Sequence, residues 1–372
     1  MSTPTAASRI HGCLLGTAVA EAAALAGGTG APAGTGVLAA AAPAGPGAAG
    51  GPDDAVRPLG AAGQLTLYTA DALIEAIEWA NDGVHADEAA CVWLASLRWL
   101  EGQGVAAPSS APAPQPRWLD SQEGARTPVA PRPAWIESLA SGEMGTTSRP
   151  LGTAHDDGGA AAHAAPFGLV PHVPAAMVVK LSADGAALTH GAPAAVQAAT
   201  AVASLAHFMV LGADARTALG SARAQIASLR TPDPDVLAAL ETADAAAGRG
   251  PADETAADRR AAGQTASGTR APGQTAPGKA APGPTAAGAL GAAVAAILAA
   301  ESAGASGEAH DVSFAAGVLL AAQQGSDAAA MAGGLLGTLW GREAVPEAWI
   351  ARTAGMHAAE GIASRFAEVT GA

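Results

Sequence analysis

The segment QLTLYTADALIEAIEWAND, residues 64–82, decides how the rest of the chain is read. Asp71, Glu75, Glu78 and Asp82 fall at spacings of four, three and four, which places them on one face of an α-helix. Leu65, Tyr68, Leu73, Ile77 and Ala80 lie largely away from that face. The pattern predicts an amphipathic helix with its acidic stripe in water. Asn81-Asp82-Gly83 supplies the turn chemistry that ends it.

Working outward, a second helix is expected from Asp87 to Glu101, carrying Val92, Trp93, Leu97, Trp99 and Leu100. Upstream, a first helix is expected from Ser8 to Leu25, followed by a Gly/Ala/Pro loop from Gly27 to Gly63. The Pro-rich stretch Gln103 to Pro133 reads as irregular. Asp184 to Leu211 contains a third long helical region, opened by Leu188-Thr189-His190-Gly191, and Thr217 to Leu229 and Asp235 to Ala247 read as further helices. Gly263, Gly268, Gly273, Gly278, Gly283 and Gly288 then recur every five residues, a period that fits neither helix, strand nor collagen. Residues 248–288 are therefore expected to be a disordered Gly/Pro/Ala insertion. They would separate the two parts, 1–247 and 289–372, of a single domain. No β alternation appears, so the expectation is a compact, multi-helix, all-α fold with long Ala/Gly/Pro-rich loops.

Composition bounds the function. The 372 residues are 49% hydrophobic but only 3% aromatic, and alanine takes more than a quarter of all positions. Alanine buries little area, so the hydrophobic fraction overstates core-forming power. A net charge of −14 argues against nucleic acid and against an anionic membrane surface as partners. Cys13 and Cys91 are too few for a disulfide framework or a four-thiolate zinc site, and they read as reduced thiols of a cytoplasmic protein. Arg9 to Ala26 imitates a signal peptide, but Glu21 interrupts its apolar run. No stretch is read as long enough to span a membrane, and Leu290 to Ala300 reads as a core helix.

Four stretches together resemble the ADP-ribosylglycohydrolase family. They are RIHGCLLGTAVAEA (residues 9–22), QLTLYTADALI (64–74), APFGL (165–169) with ALTHGAP (187–193), and AGGLLGTLWGREAVPEAW (332–349). The resemblance implies an all-α enzyme that removes ADP-ribose from modified acceptors with two magnesium ions. It also shows where this chain departs. The family's first metal motif, Thr-Asp-Asp-Thr, would fall on Gly60-Ala61-Ala62-Gly63, which carries no side-chain oxygen. The second would fall on Gln324, Gly325, Ser326, Asp327 and Ala328, with Asp327 one residue out of register. On a continuous helix that offset is a rotation of ~100°, so Asp327 is expected to point elsewhere unless the segment is a loop. Gly28 stands near the place of a family glutamate, and Glu21 near that of a family aspartate. Asp156-Asp157-Gly158-Gly159 resembles the family's substrate-side segment, with His163 where an arginine is common.

These departures imply a site without metal and without catalytic residues, and no cofactor is expected. Glu21, Asp156, Asp157, Gly158, Gly159, His163, Gln324, Ser326 and Asp327 remain as candidate contacts to ADP-ribose or a related nucleotide. Asp53, Asp54 or Asp327 could rebuild a relocated magnesium site, which would give an active hydrolase of an N-glycosidic bond. A scaffold for protein partners with no small ligand is the third reading. An ADP-ribosylated protein would be a natural partner of the first two. His155, His163 and His172 lack zinc-ligand spacing, and His190 reads as a structural histidine holding a helix start.

Overall fold

The structure is a computed structural model that describes residues 3–27, 55–130, 132–247 and 284–372. Asp53, Asp54, Gly28 and most of the five-residue repeat lie outside the described residues. The described residues form fourteen α-helices and no strand, only isolated bridges such as Arg57 with Thr353.

The helices are α1 (Ala6–Ala26), α2 (Ala61–Asn81), α3 (Glu88–Gly102), α4 (Pro133–Ala140), α5 (Gly159–Ala162), α6 (Ala175–Ala187) and α7 (Pro193–Val210). They continue as α8 (Ala215–Ala227), α9 (Pro234–Ala247), α10 (Ala286–Ala305), α11 (His310–Ala322), α12 (Ser326–Trp340), α13 (Glu347–Ala351) and α14 (Met356–Thr370). Several ends follow from local chemistry. Thr5, Asp87, Asp214 and Thr285 each accept a backbone N–H in the first turn of the helix they precede. The last of these places Gly288, the final repeat glycine, inside α10. The helical region expected to open at Leu188-Thr189-His190-Gly191 is α7: the chain turns at 188–192 and the helix starts at Pro193, while Asp184 belongs to the preceding helix α6. Proline suits the first helical position, where no N–H is needed.

α1 is the central element, packed along α12 and flanked by α14 and α2. Its crossing with α12 is built from glycine. A Cβ on Gly12 would overlap the carbonyl of Gly337, and one on Gly16 would overlap that of Gly333. The reverse holds for Cβ atoms on Gly333 and Gly337. The helices therefore touch backbone to backbone, as small residues four apart allow. Arg9, buried on α1, donates to the carbonyls of Thr338 and Leu339 and so satisfies the C-terminal turn of α12. One buried cluster runs from Ile10 to Ala367 and joins the segments before and after the repeat.

Two sequence expectations fail here. The acidic stripe of α2 is solvated only toward its end, where Asp82 is exposed. Asp71 is buried and pairs with Arg98 at 2.7 Å and Arg117 at 3.0 Å, and Glu78 meets Arg117 and Arg365. Those arginines come from α3, the Pro-rich stretch and α14, which helical periodicity within α2 cannot reveal. Two helices, α7 and α10, are also long and apolar enough to cross a membrane by length and composition alone. The 18-residue window of α7 is 83% buried among its neighbours, as a core helix would be, and that of α10 is 56% buried.

Candidate functional site

α2 begins without a cap of its own. Gly60 stands at its N-cap position and offers no side chain. The exposed N–H groups are met from α1 instead. Both oxygens of Glu21 are engaged, one by the N–H of Ala62 at 3.0 Å and one by that of Gly63 at 2.6 Å. A Cβ at Gly60 would overlap this carboxylate, so a larger residue there would have to displace it. Glu21 is fully buried, and burial pushes its pKa up to about 7 against the opposing N–H bonds and Arg132.

Arg132 lies just before α4 and is the centre of the cluster. Its two terminal nitrogens donate to the two carboxylate oxygens of Asp327, one at 2.9 Å. Its guanidinium lies 4.0 Å from Asp157 and stacks 4.6 Å over the ring of buried Trp135. Burial works against its charge, but Asp327, Glu21 and Asp157 together outweigh burial and raise its pKa. Asp327 reaches this position because α12 starts late. Gly325 has φ +114°, the helix begins at Ser326, and Asp327 occupies its first turn. The argument from a one-residue offset presumed a continuous helix, and the break at Gly325 removes that premise. A carboxylate in a first turn is also favoured by the helix dipole.

Asp157 is the third carboxylate. Its Oδ1 accepts the N–H of Gly159 at 2.9 Å and lies 3.1 Å from His190 Nε2. Burial opposes its ionisation, yet His190, the Gly159 N–H and Arg132 hold it well below the usual carboxylate range. Gly158 and Gly159 open the short helix α5. A Cβ on Gly158 would crowd Asp327, and one on Gly159 would crowd His190 and Asp157. The two glycines therefore let α5 approach the cluster.

His163 is buried behind it, with Nδ1 3.3 Å from Thr69 Oγ1 and Nε2 lacking a hydrogen-bond partner. Burial, then His190 and Arg132, lower its pKa to about 3, so it is neutral at ordinary pH. Trp135 touches His163 and His190 edge to face, each with centroids 5.9 Å apart.

The structure thus gathers Glu21, Asp157, Gly158, Gly159 and Asp327, with His163 behind. It does not gather the rest. Asp156 is exposed and enters only through its carbonyl, which accepts the N–H of Ala286. Gln324 is exposed, and His172 is also at the surface. Ser326 is half-buried at the start of α12. Arg132 and His190 are the residues sequence reasoning missed as members of this cluster. His190 does not hold a helix start: it is fully buried, pairs with Thr189 at 2.8 Å and reaches Asp157. Arg132 sits in a Pro-rich stretch and is 195 positions from Asp327, so no local pattern announces it.

The family profile described as ADP-ribosylglycohydrolase matches residues 2–372. The chain belongs to the ADP-ribosylglycohydrolase family. Among solved structures, one titled "ADP-ribosylglycohydrolase-related protein complex" is similar, with TM-score 0.58 and 19% identity. The match covers 98% of this chain and 99% of that one. At that identity the likeness speaks for the fold. Among curated proteins, no sequence matches significantly. Within this ADP-ribosylglycohydrolase fold, the cluster is assembled from α1, the entry to α2, the residue before α4, the segment at α5 and the first turn of α12.

Proposed function

We propose that this ADP-ribosylglycohydrolase-family chain binds ADP-ribose, or a nucleotide like it, without hydrolysing it and without magnesium. The carrying observation is the entry to α2. Gly60-Ala61-Ala62-Gly63 brings no side-chain oxygen there, and both oxygens of Glu21 are committed to backbone N–H groups. Magnesium takes oxygen ligands in a near-ideal octahedron at about 2.1 Å. The donors that remain, Asp157 and Asp327, already hold a histidine, an amide and a guanidinium. This set does not fit two magnesium ions. Cleaving an N-glycosidic bond requires an activated water and stabilisation of developing positive charge on the ribose. A carboxylate engaged by two N–H groups and a second locked by an arginine fork are poorly placed for either task.

Ligand binding is supported by what stays accessible. Asp157 is 42% exposed and Arg132 is 26% exposed, so the cluster has a solvent-facing side. A hydroxyl-rich, diphosphate-bearing ligand would find both an acceptor and a cation there. The test is calorimetric titration of the full chain with ADP-ribose, with and without magnesium, alongside a product assay on an ADP-ribosylated protein. Binding of equal strength in both buffers, with no released ADP-ribose, is the expected result. Magnesium-dependent binding or turnover would overturn the proposal. An absence of binding in both buffers would leave the protein-scaffold reading in its place. The cytoplasmic location expected from the two thiols is a proposal of the same standing, tested by fractionation.

A further inference from the structure

We propose that the Arg132 guanidinium is the resident cation of the Asp157–Asp327 cage, standing in electrostatically for a divalent ion. It deepens the metal-free reading above, but its test reads cations and not nucleotide. The two carboxylates come from the α5 segment and the first turn of α12, and nothing in local sequence requires them to meet. At their meeting point lies one guanidinium, forked on both oxygens of Asp327, 4.0 Å from Asp157 and backed by the face of Trp135. A planar guanidinium needs aligned acceptors at its edge, whereas a metal ion needs oxygens converging on a point. The carboxylates are arranged for the first. Among the described residues, no group of three His, Cys, Asp or Glu side chains is disposed to hold a metal. Arg132 reaches the cage from the position directly before Pro133, the first residue of α4. The following proline restricts Arg132 to extended backbone, as its φ of −113° and ψ of 110° show.

Removing the guanidinium leaves a cage that still demands a cation. The experiment is a Mn²⁺ titration of the full chain followed by electron paramagnetic resonance, with thermal melts in parallel. The samples are wild type, Arg132→Ala, and Arg132→Ala combined with Asp327→Asn. Wild type is expected to leave Mn²⁺ free and to melt at the same temperature with Mn²⁺, with chelator, or with neither. Arg132→Ala is expected to bind Mn²⁺ at least about tenfold more tightly than wild type and to melt higher when the ion is present. Its melting temperature should also rise with guanidinium ion at about 10 mM, well below denaturing concentrations. Adding Asp327→Asn should abolish the Mn²⁺ gain. Arg132→Gln, which keeps much of the side-chain volume and loses the charge, carries the same test if the alanine variant does not fold. Three results would overturn the proposal: wild type binding Mn²⁺ as well as the variant, wild type losing stability in chelator, or a charge-deleted variant indifferent to every cation.

Discussion

Glu21 shows how a single side chain can carry two demands. It must be ionised to accept both N–H groups of α2 at full strength, yet burial raises its pKa to about 7. In an unfolded chain a glutamate ionises near pH 4.3. Between these values the unfolded state loses its proton before the folded state does. The contribution of Glu21 to stability is therefore greatest in acid and is lost as pH rises through about 7, by on the order of 3 kcal/mol in total. Asp157 works in the opposite sense: its depressed pKa stabilises the fold at neutral pH, and that gain is lost as pH falls below the ordinary carboxylate range. Glu21→Gln should flatten the stability profile between about pH 4.5 and 7 and leave the acid limb intact. Urea unfolding of wild type and variant across that range reads the difference, and an unchanged slope would refute the assignment. Arg98 offers a second test. It bridges Asp71 and Asp120, and all three side chains are nearly inaccessible. Arg98→Ala removes the shared cation of two buried carboxylates, leaving Asp71 with Arg117 and Asp120 with the Tyr68 hydroxyl and the Arg117 N–H, and should cost about 3 kcal/mol in urea unfolding.

At the scale of elements, what was legible in the sequence was whatever is written locally. Asp87 before α3 and Asn81-Asp82-Gly83 after α2 mark their helices to within a residue or two, because caps and turns are short-range chemistry. The opening of α7 was legible at Leu188-Thr189-His190-Gly191, whereas most of α6 before it was not. Of the residues the structure gathers, Glu21, Asp157 and the paired glycines were named from the resemblance of their segments to the family. The meaning of Asp327 was misread because it depends on where α12 starts. Arg132 could not be found at all, since its role exists only once the residue before α4 reaches the first turn of α12. The α1–α12 crossing is the clearest element-level prediction. Gly337→Ala places a methyl on the carbonyl of Gly12 and should destabilise by about 2–3 kcal/mol or more. Gly220→Ala, exposed within α8 with open space around it, should instead stabilise by up to about 1 kcal/mol. Paired thermal melts check both signs together.

For the whole molecule, the arrangement of the core joins distant parts of the chain. α1 packs mainly on α12, and Arg9 closes the C-terminal turn of that helix, so the first segment lacks its principal partner without the last. A protease site placed within residues 248–283 should yield two pieces that co-elute as one folded particle after cleavage. Residues 1–247 expressed alone should show no cooperative unfolding. Independent folding of that fragment by calorimetry would refute this account of the core. The glycine crossing has a consequence for pressure as well. Hydrostatic pressure unfolds proteins largely by eliminating internal voids. Where two helices touch backbone to backbone there is little void to eliminate, so the α1–α12 seam should be among the last parts of the molecule to yield as pressure rises. A core assembled from alanine and glycine gives up the adhesive area of large side chains, and along this seam it gains resistance to compression.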